Sequence, residues 1–558
     1  MKNKLHTRMP QVLLRSLALS LTLSPLAQVE AASSTPDFQL KPKRIDQVFS
    51  DFTSQSPGCA LGVFSRGKML YARGYGLAEL NHGVRIQPNT VFDIGSTSKQ
   101  FTALALLMLA RDGKLSLDDD VRRYLPELPD LGVTISLQQL LWHTAGLRDY
   151  NELMLLAGYK EEDVTEDADA LRLLIAQRGL NFAPGSRYSY SNSGYFLAAM
   201  VAQRVSGQSL DALLQQRVFK PLRMASTHVR TDHTQVVPRR ASAYRLQQDR
   251  YVINMANWNQ PGDGAVQSTV QDLALWDAEL DQPTVLPPNL LRTLQTPGHL
   301  SNGQTLGYAN GLERDHYRGL TRIQHDGSWA GYRAVYLRFP EQHLGLALTC
   351  NSAEADPVGL AEQVADLVLA RHLQPMPPAP PSVALSPAAA QGFVGRYLED
   401  QGSEVLMLTL DDKGQLQWNA GDAMLPLQAL NAEQVQTSSG RTQMTRSEEG
   451  LMLRRAGIER PLVFRRLANY LPDEASLQSL VGRYQSPELH TQWELVRKGT
   501  QGLILRSRGL ADPVLQALSP DLWQGLNFTL RLERDAQGRL QGFVYDSDQV
   551  RGVRFQRM

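Results

Sequence analysis

Ser96 and Lys99 stand three residues apart in the run Ser96-Thr97-Ser98-Lys99, directly after Gly95 and the short stretch Val91-Phe92-Asp93-Ile94. The residues that follow, Gln100 to Leu107, are apolar almost all round, which predicts a buried helix. At i and i+3 the two side chains share one helical face. The positive end of the helix dipole opposes a charged lysine there, and burial adds to that effect, so both depress its pKa. A neutral amine beside a hydroxyl can take its proton and turn the serine into a nucleophile. The N–H of Ser96, at the helix start, also points toward a developing anion. Taken alone, Ser-x-x-Lys reads more plainly as a helix cap followed by a solvated lysine.

Two further clusters change that reading. Tyr190-Ser191-Asn192 follows a Pro184-Gly185 turn and precedes an apolar helix expected over Ser193 to Val205. A tyrosine at a loop tip can serve as acid or base when an ammonium lowers its pKa. Asn192 has donors and an acceptor with which to hold a substrate amide. His325-Asp326-Gly327-Ser328 ends a strand-like approach from Leu320 to Gln324. Gly327 lets a substrate backbone lie close to the strand. The N–H of Ser328 is a candidate second oxyanion donor beside that of Ser96.

These clusters need a scaffold. Cys59 to Val63 and Met69 to Tyr75 flank a Ser65-Arg66-Gly67-Lys68 turn and read as a hairpin. Arg333 to Phe339 and Leu344 to Cys350 flank Pro340-Glu341-Gln342 in the same way. Strands at both ends with helices between predict an α+β domain over 32–373, with one antiparallel sheet. The proline-rich stretch 374–388 reads as an extended linker. Beyond it come short alternating runs such as Val405 to Leu410, separated by turns such as Asp411-Asp412-Lys413-Gly414. Val394-Gly395-Arg396-Tyr397 recurs as Val481-Gly482-Arg483-Tyr484. Matching strands, Val463-Phe464-Arg465-Arg466 and Arg554-Phe555-Gln556-Arg557, end each copy. The repeat predicts two small antiparallel β-barrels, 389–468 and 469–558.

Composition narrows the function. A chain of 558 residues suggests about three or four domains. Its net charge of +1 offers no basic footprint for nucleic acid. Two cysteines exclude a disulfide scaffold and any Cys-rich metal site, and the histidines show no metal-ligand spacing. No metal or cofactor is expected. Lys2, Lys4 and Arg8, the apolar run Leu13 to Leu26, and Val29-Glu30-Ala31 have the layout of a cleavable secretory signal over 1–31. The run is too short to span a bilayer, which takes about 20 residues. The mature protein is therefore expected to be periplasmic or secreted.

In this order and spacing the three clusters resemble the serine β-lactamase and penicillin-binding protein group. The resemblance is nearest to the class C-like branch, with D-aminopeptidases, DD-carboxypeptidases and related esterases. It covers roughly Pro36 to Leu373. Leu141-Trp142-His143-Thr144-Ala145-Gly146-Leu147 looks like the family's His-Thr-Ser-Gly-Leu segment. Gly264-Ala265-Val266-Gln267-Ser268-Thr269 with Asp272-Leu273-Ala274 looks like its Gly-Gly-Leu-x-Ser-Thr-x-x-Asp-Leu-Ala stretch.

The resemblance implies a β-lactamase/transpeptidase-like sheet with flanking helices. It implies an acyl-enzyme on Ser96, proton traffic shared by Lys99 and Tyr190, and an oxyanion hole from the N–H groups of Ser96 and Ser328. Asn192, His325, Asp326 and Gly327 would bind substrate. Which of Lys99 and Tyr190 is the acylation base stays open, since the two are coupled. The family's Lys-Thr/Ser-Gly is replaced here by His325-Asp326-Gly327. That loses a cation for a substrate carboxylate and adds an anion that would welcome an ammonium. With the two barrels, this points to short D-residue peptides or amides, as in D-aminopeptidases. An esterase, a β-lactamase, or a ligand-binding protein on an inactive hydrolase fold are the alternatives. In the resembling fold the first strand pairs with the last, which would bring Cys59 and Cys350 together for a disulfide. His143 reads as a structural histidine. Trp418 and Trp523 read as barrel core. The oligomeric state stays open, with a dimer through the barrels as one arrangement.

Overall fold

The computed structural model describes residue 38, residues 40–375 and residues 383–558 apart from 401–403, 421–423, 439, 441, 456–460 and 500–501. The expected signal segment 1–31 and the centre of the proline-rich stretch lie outside the described residues.

Six strands form the antiparallel sheet of the first domain: β1 (Cys59–Ser65), β2 (Lys68–Tyr75), β3 (Glu313–Tyr317), β4 (Leu320–Trp329), β5 (Tyr332–Phe339) and β6 (Leu344–Cys350). Their spatial order is β3-β4-β5-β6-β1-β2. Chain-distant β1 and β6 are thus neighbours at the middle of the sheet, and every residue of both is buried. Strands covered on both faces lose the polar alternation of a half-exposed strand, as these two do. The register sets Cys59 opposite Cys350, and the two are joined by a disulfide.

Two helices carry the site. α1 (Lys99–Arg111) follows a 3-10 turn, Gly95–Ser98, and is buried from Lys99 to Leu109. It packs against α2 (Asn192–Ser206), which starts one residue earlier than the apolar pattern alone predicts. The 3-10 turn packs on β4. Two glycines allow the approach. A Cβ on Gly327 would lie 2.0 Å from the Ile94 carbonyl oxygen, and one on Gly95, whose φ is +49°, would lie 2.7 Å from the Ser328 nitrogen. The glycine at 327 therefore serves the seating of the Ser96 turn against the strand.

Two closed eight-stranded barrels follow, within Gly395–Arg466 and Gly482–Arg557. The repeat has a physical basis. Each barrel opens with a short helix, Pro387–Phe393 or Glu474–Leu480, and then the repeated strand. The repeated tyrosine caps that helix: Tyr397 donates to the Phe393 carbonyl at 2.8 Å, and Tyr484 to the Leu480 carbonyl at 2.6 Å. Trp523 is buried, and Trp418 packs partly buried against the first barrel's core. That core is a separate apolar cluster, whereas the second barrel's core is continuous with that of the first domain.

Candidate active site

The buried ammonium of Lys99 is the hub. Nζ lies 3.1 Å from Ser96 Oγ, 2.9 Å from Asn192 Oδ1 and 2.7 Å from the Asp263 carbonyl oxygen. Charged, it donates all three of its hydrogens. On losing one proton, its bond to Ser96 can reverse, with the hydroxyl as donor. Burial is the main cause that brings its pKa down to about 8, against the pull of the carboxylates of Asp263, Asp149 and Asp326.

Tyr190 completes the group. Its hydroxyl is near enough to the Ser96 side chain to feel it, and Lys99 Nζ stands 4.9 Å from its ring centre. Burial holds the phenol well above its ordinary pKa, and the Ser96 side chain offsets only part of this. Tyr190 is thus a protonated donor across the working pH range. The His143 ring packs against it with centroids 4.2 Å apart. His143 Nδ1 accepts the Ser191 N–H at 3.1 Å, so its proton sits on Nε2. Burial keeps this ring neutral.

His325 and Asp326 point to opposite sides of β4: the first is buried, the second exposed. His325 Nδ1 lies 2.6 Å from the Asp326 carbonyl oxygen, an acceptor only, so Nδ1 carries the proton. Nε2 then accepts from the Tyr308 hydroxyl at 3.0 Å. Burial first, and Lys99 second, bring the His325 pKa down to about 3. The third motif is therefore uncharged at its histidine and carries its only charge on Asp326. Partial loss of hydration raises the carboxyl of Asp326, although the residue is exposed, and burial raises that of Glu313, which feels the Asp326 charge and accepts from Gln324 at 3.0 Å. Neither is joined to a lysine or arginine among the described residues.

Ser328 lies against Gly95, next to the peptide of Ser96, so the N–H groups of Ser96 and Ser328 belong to adjoining backbone segments. Ser96, Tyr190 and Asn192 thus gather on Lys99, His325 stands beside the Tyr190 ring with centroids 6.2 Å apart, and Gly327 and Ser328 lie against the Ser96 turn, while Asp326 faces the other side of β4.

Sequence reasoning missed Asp149, Asp263 and Tyr308. Asp149 is fully buried and caps a helix, α3 (Tyr150–Ala157), which lies between α1 and α2 in the chain. Its carboxylate accepts from the N–H groups of Asn151 (2.9 Å), Glu152 (3.2 Å) and Asn192 (2.5 Å). It therefore sits at the positive ends of both α3 and α2. Asp263 uses its carbonyl for Lys99 and its carboxylate for Tyr150 and Asn151, at 2.9 and 3.3 Å. The sequence did carry one signal: Asp149 and Glu152 have the Asp-x-x-Glu spacing of a helix start.

Among the described residues, no group of three His, Cys, Asp or Glu side chains is placed to hold a metal ion, and no helix is long and apolar enough to cross a membrane.

Comparison with known proteins was made for the whole chain. Residues 45–370 match the family model described as Beta-lactamase. A D-aminopeptidase from Gluconobacter oxydans is 28% identical over 482 residues, covering 84% of this chain and 87% of that protein. A penicillin-binding protein of Bacillus subtilis is 29% identical over 375 residues, covering 62% of this chain and 80% of that protein. Among solved structures, the octameric penicillin-binding protein homologue from Pyrococcus abyssi superposes with a TM-score of 0.54 at 22% identity. It covers 76% of this chain and 98% of that one.

Proposed function

The chain belongs to the beta-lactamase family, and from that premise we propose that it is a serine hydrolase acting through an acyl-enzyme on Ser96, with short peptides or amides of D-residues bearing a free amine as substrates. One observation carries the reading: a buried lysine with a pKa near 8 lies 3.1 Å from the serine hydroxyl. Lys99, as the neutral amine, takes the Ser96 proton while Oγ attacks the substrate carbonyl. The N–H groups of Ser96 and Ser328 hold the oxyanion. Tyr190, kept protonated, passes a proton to the leaving amine and is replenished from Lys99. Water then enters and is deprotonated by the same pair, releasing the acid. Asn192 orients both Lys99 and the substrate amide.

Specificity follows from the third motif. A neutral His325 offers a substrate carboxylate no cation. Asp326 and Glu313, unpaired with any cation among the described residues, attract an ammonium. The similarity to a D-aminopeptidase along most of the chain, barrels included, supports the same choice. The N-terminal layout and the Cys59–Cys350 disulfide support export to an oxidising compartment with removal of 1–31. Domain limits at 373 and 468 belong to the same reading.

The test is a substrate profile of purified protein with Ser96→Ala as the blank. D-alanyl amide is expected to be cleaved faster than its N-acetyl derivative and faster than nitrocefin. Faster nitrocefin turnover would reject the substrate class. A fluorophosphonate that labels Ser96→Ala as well as the parent would reject the nucleophile.

A further inference from the structure

The turn 548–552 of the second barrel reaches the first domain beside Asp149. It joins the strands Leu540–Ser547 and Val553–Arg557. The Gln549 carbonyl oxygen accepts the Asp149 N–H at 3.0 Å and Asn181 Nδ2 at 2.7 Å. Asn181 Oδ1 in turn accepts the Arg551 N–H at 2.8 Å. Arg148, only 4% exposed, donates to the Arg551 carbonyl at 2.7 Å and forms an ion pair with Glu488 at 2.6 Å. The helix that follows is held along its length: Tyr545 donates to Glu152 at 2.7 Å, and Trp493 Nε1 to the Leu156 carbonyl at 3.1 Å.

The contacts form a continuous series into the site. Gln549 fixes the peptide of Asp149. The Asp149 carboxylate takes the Asn192 N–H, and Asn192 Oδ1 takes Lys99 Nζ. Each link is buried or half-buried, where a hydrogen bond is strong and an unpaired group is costly. Asp149 also joins two helix N-termini, so a shift at the barrel turn moves both ends together. The first barrel's core is a separate cluster, and Arg396 ties that barrel to the second through the Ala517 carbonyl at 2.7 Å.

We propose that the second barrel is a working part of the catalytic centre: its 548–552 turn sets Asp149, a positioning residue, which holds Asn192 and through it places Lys99 against Ser96. This rests on the reading of Ser96 and Lys99 given above. It assigns the second barrel a role in rate rather than in recognition.

Two full-length variants test it, Asp149→Asn and Asn181→Ala. The second removes the Asn181 side chain's bonds to the barrel turn, and its long 3.5 Å bond to the Leu147 carbonyl, and leaves every side chain of the site in place. For both, kcat on D-alanyl amide is expected to fall about 10- to 100-fold, as for a misplacement of less than an ångström or so, with KM changed less than about threefold. In Asp149→Asn the pH at which fluorophosphonate labelling reaches half its maximum also moves down, because a negative charge near Lys99 is gone. A folded Asn181→Ala protein with parental kcat overturns the proposal, even if Asp149→Asn fails to fold. A loss confined to KM, or to thermal stability, overturns it too. Parental protein that neither labels nor turns over would instead reject the hydrolase reading itself.

Discussion

Asp263→Asn removes the carboxylate that, among the charges around Lys99, does most to keep it protonated, while leaving its backbone carbonyl on Nζ. Moving Lys99 from 10.5 to about 8 raises the neutral fraction at pH 7 from about one in 3,000 to about one in ten. That shift is about 3 kcal/mol, the cost that burial imposes on the ammonium net of its anionic neighbours. A unit charge several ångströms away, at an effective dielectric near 20, contributes about 1–2 kcal/mol. Removing Asp263 should therefore lower the Lys99 pKa by roughly one unit. The assay is the second-order rate of labelling by a fluorophosphonate, which carries no titrating group, from pH 5.5 to 10. The parental rate should rise with pH through a limb near 8, and the variant's limb should lie near 7. Asn keeps the acceptor for Tyr150 and gives up only the 3.3 Å bond from Asn151 Nδ2. A limb that stays in place or moves up would refute Lys99 as the base. A rate still climbing at pH 10 would point instead to Tyr190, whose phenol burial holds well above its ordinary range.

Other expectations follow from particular contacts. Burial raises Glu152 from 4.5 to about 7 at the seam with the second barrel. A carboxyl raised on folding costs stability as pH climbs from about 4.5 to about 7. Glu152→Gln should thus add up to about 3 kcal/mol of unfolding free energy at pH 8 and almost nothing at pH 4. Denaturant titrations at both pH values check it, and equal gains would contradict it. The Cys59–Cys350 disulfide closes a loop of 291 residues, for which the chain-entropy relation gives about 5–6 kcal/mol as a ceiling. Dithiothreitol should lower the melting temperature, and a reductant-insensitive transition would argue against the bond. Gly327→Ala places a methyl 2.0 Å from the Ile94 carbonyl and should displace the Ser96 turn, with about 100-fold loss of labelling rate. Parental labelling in that variant would show that the strand need not approach so closely.

The parts of the site legible in the sequence are those whose side chains do the work at short local spacing. Ser96 and Lys99 are one helical turn apart, and Tyr190 and Asn192 flank a helix start, so each pair is a compact local motif, and the resemblance to a family carrying the same motifs in the same order brings them to view. Asp263 escaped because its contact with Lys99 runs through a carbonyl oxygen that every residue possesses. Tyr308 escaped because its link to His325 depends on how β4 seats against a loop, which no local pattern encodes. Asp149 had a visible cap signature, yet a cap reads as a stability feature until the second helix end is seen on the same carboxylate. The barrels were readable from their repeat. Their unequal attachment was not, because Val550, Trp493 and Tyr545 look like ordinary barrel residues until their apolar and polar contacts to α3 are known. The family's Gly-Gly is Gly264-Ala265 here, and Ala265 adopts a φ of +70°. Backbone geometry at that turn outlasts the residue type that favours it.

The bond between Arg148 and Arg551 joins residues 403 positions apart. Ser96 and Lys99 leave the ribosome long before the segment that secures Asp149 exists. A chain halted partway contains Ser96 and Lys99 but not the segment that secures Asp149. On the role proposed for the second barrel, order of synthesis thus becomes a safeguard in time: the site is complete only once the later segment has folded back onto the earlier one.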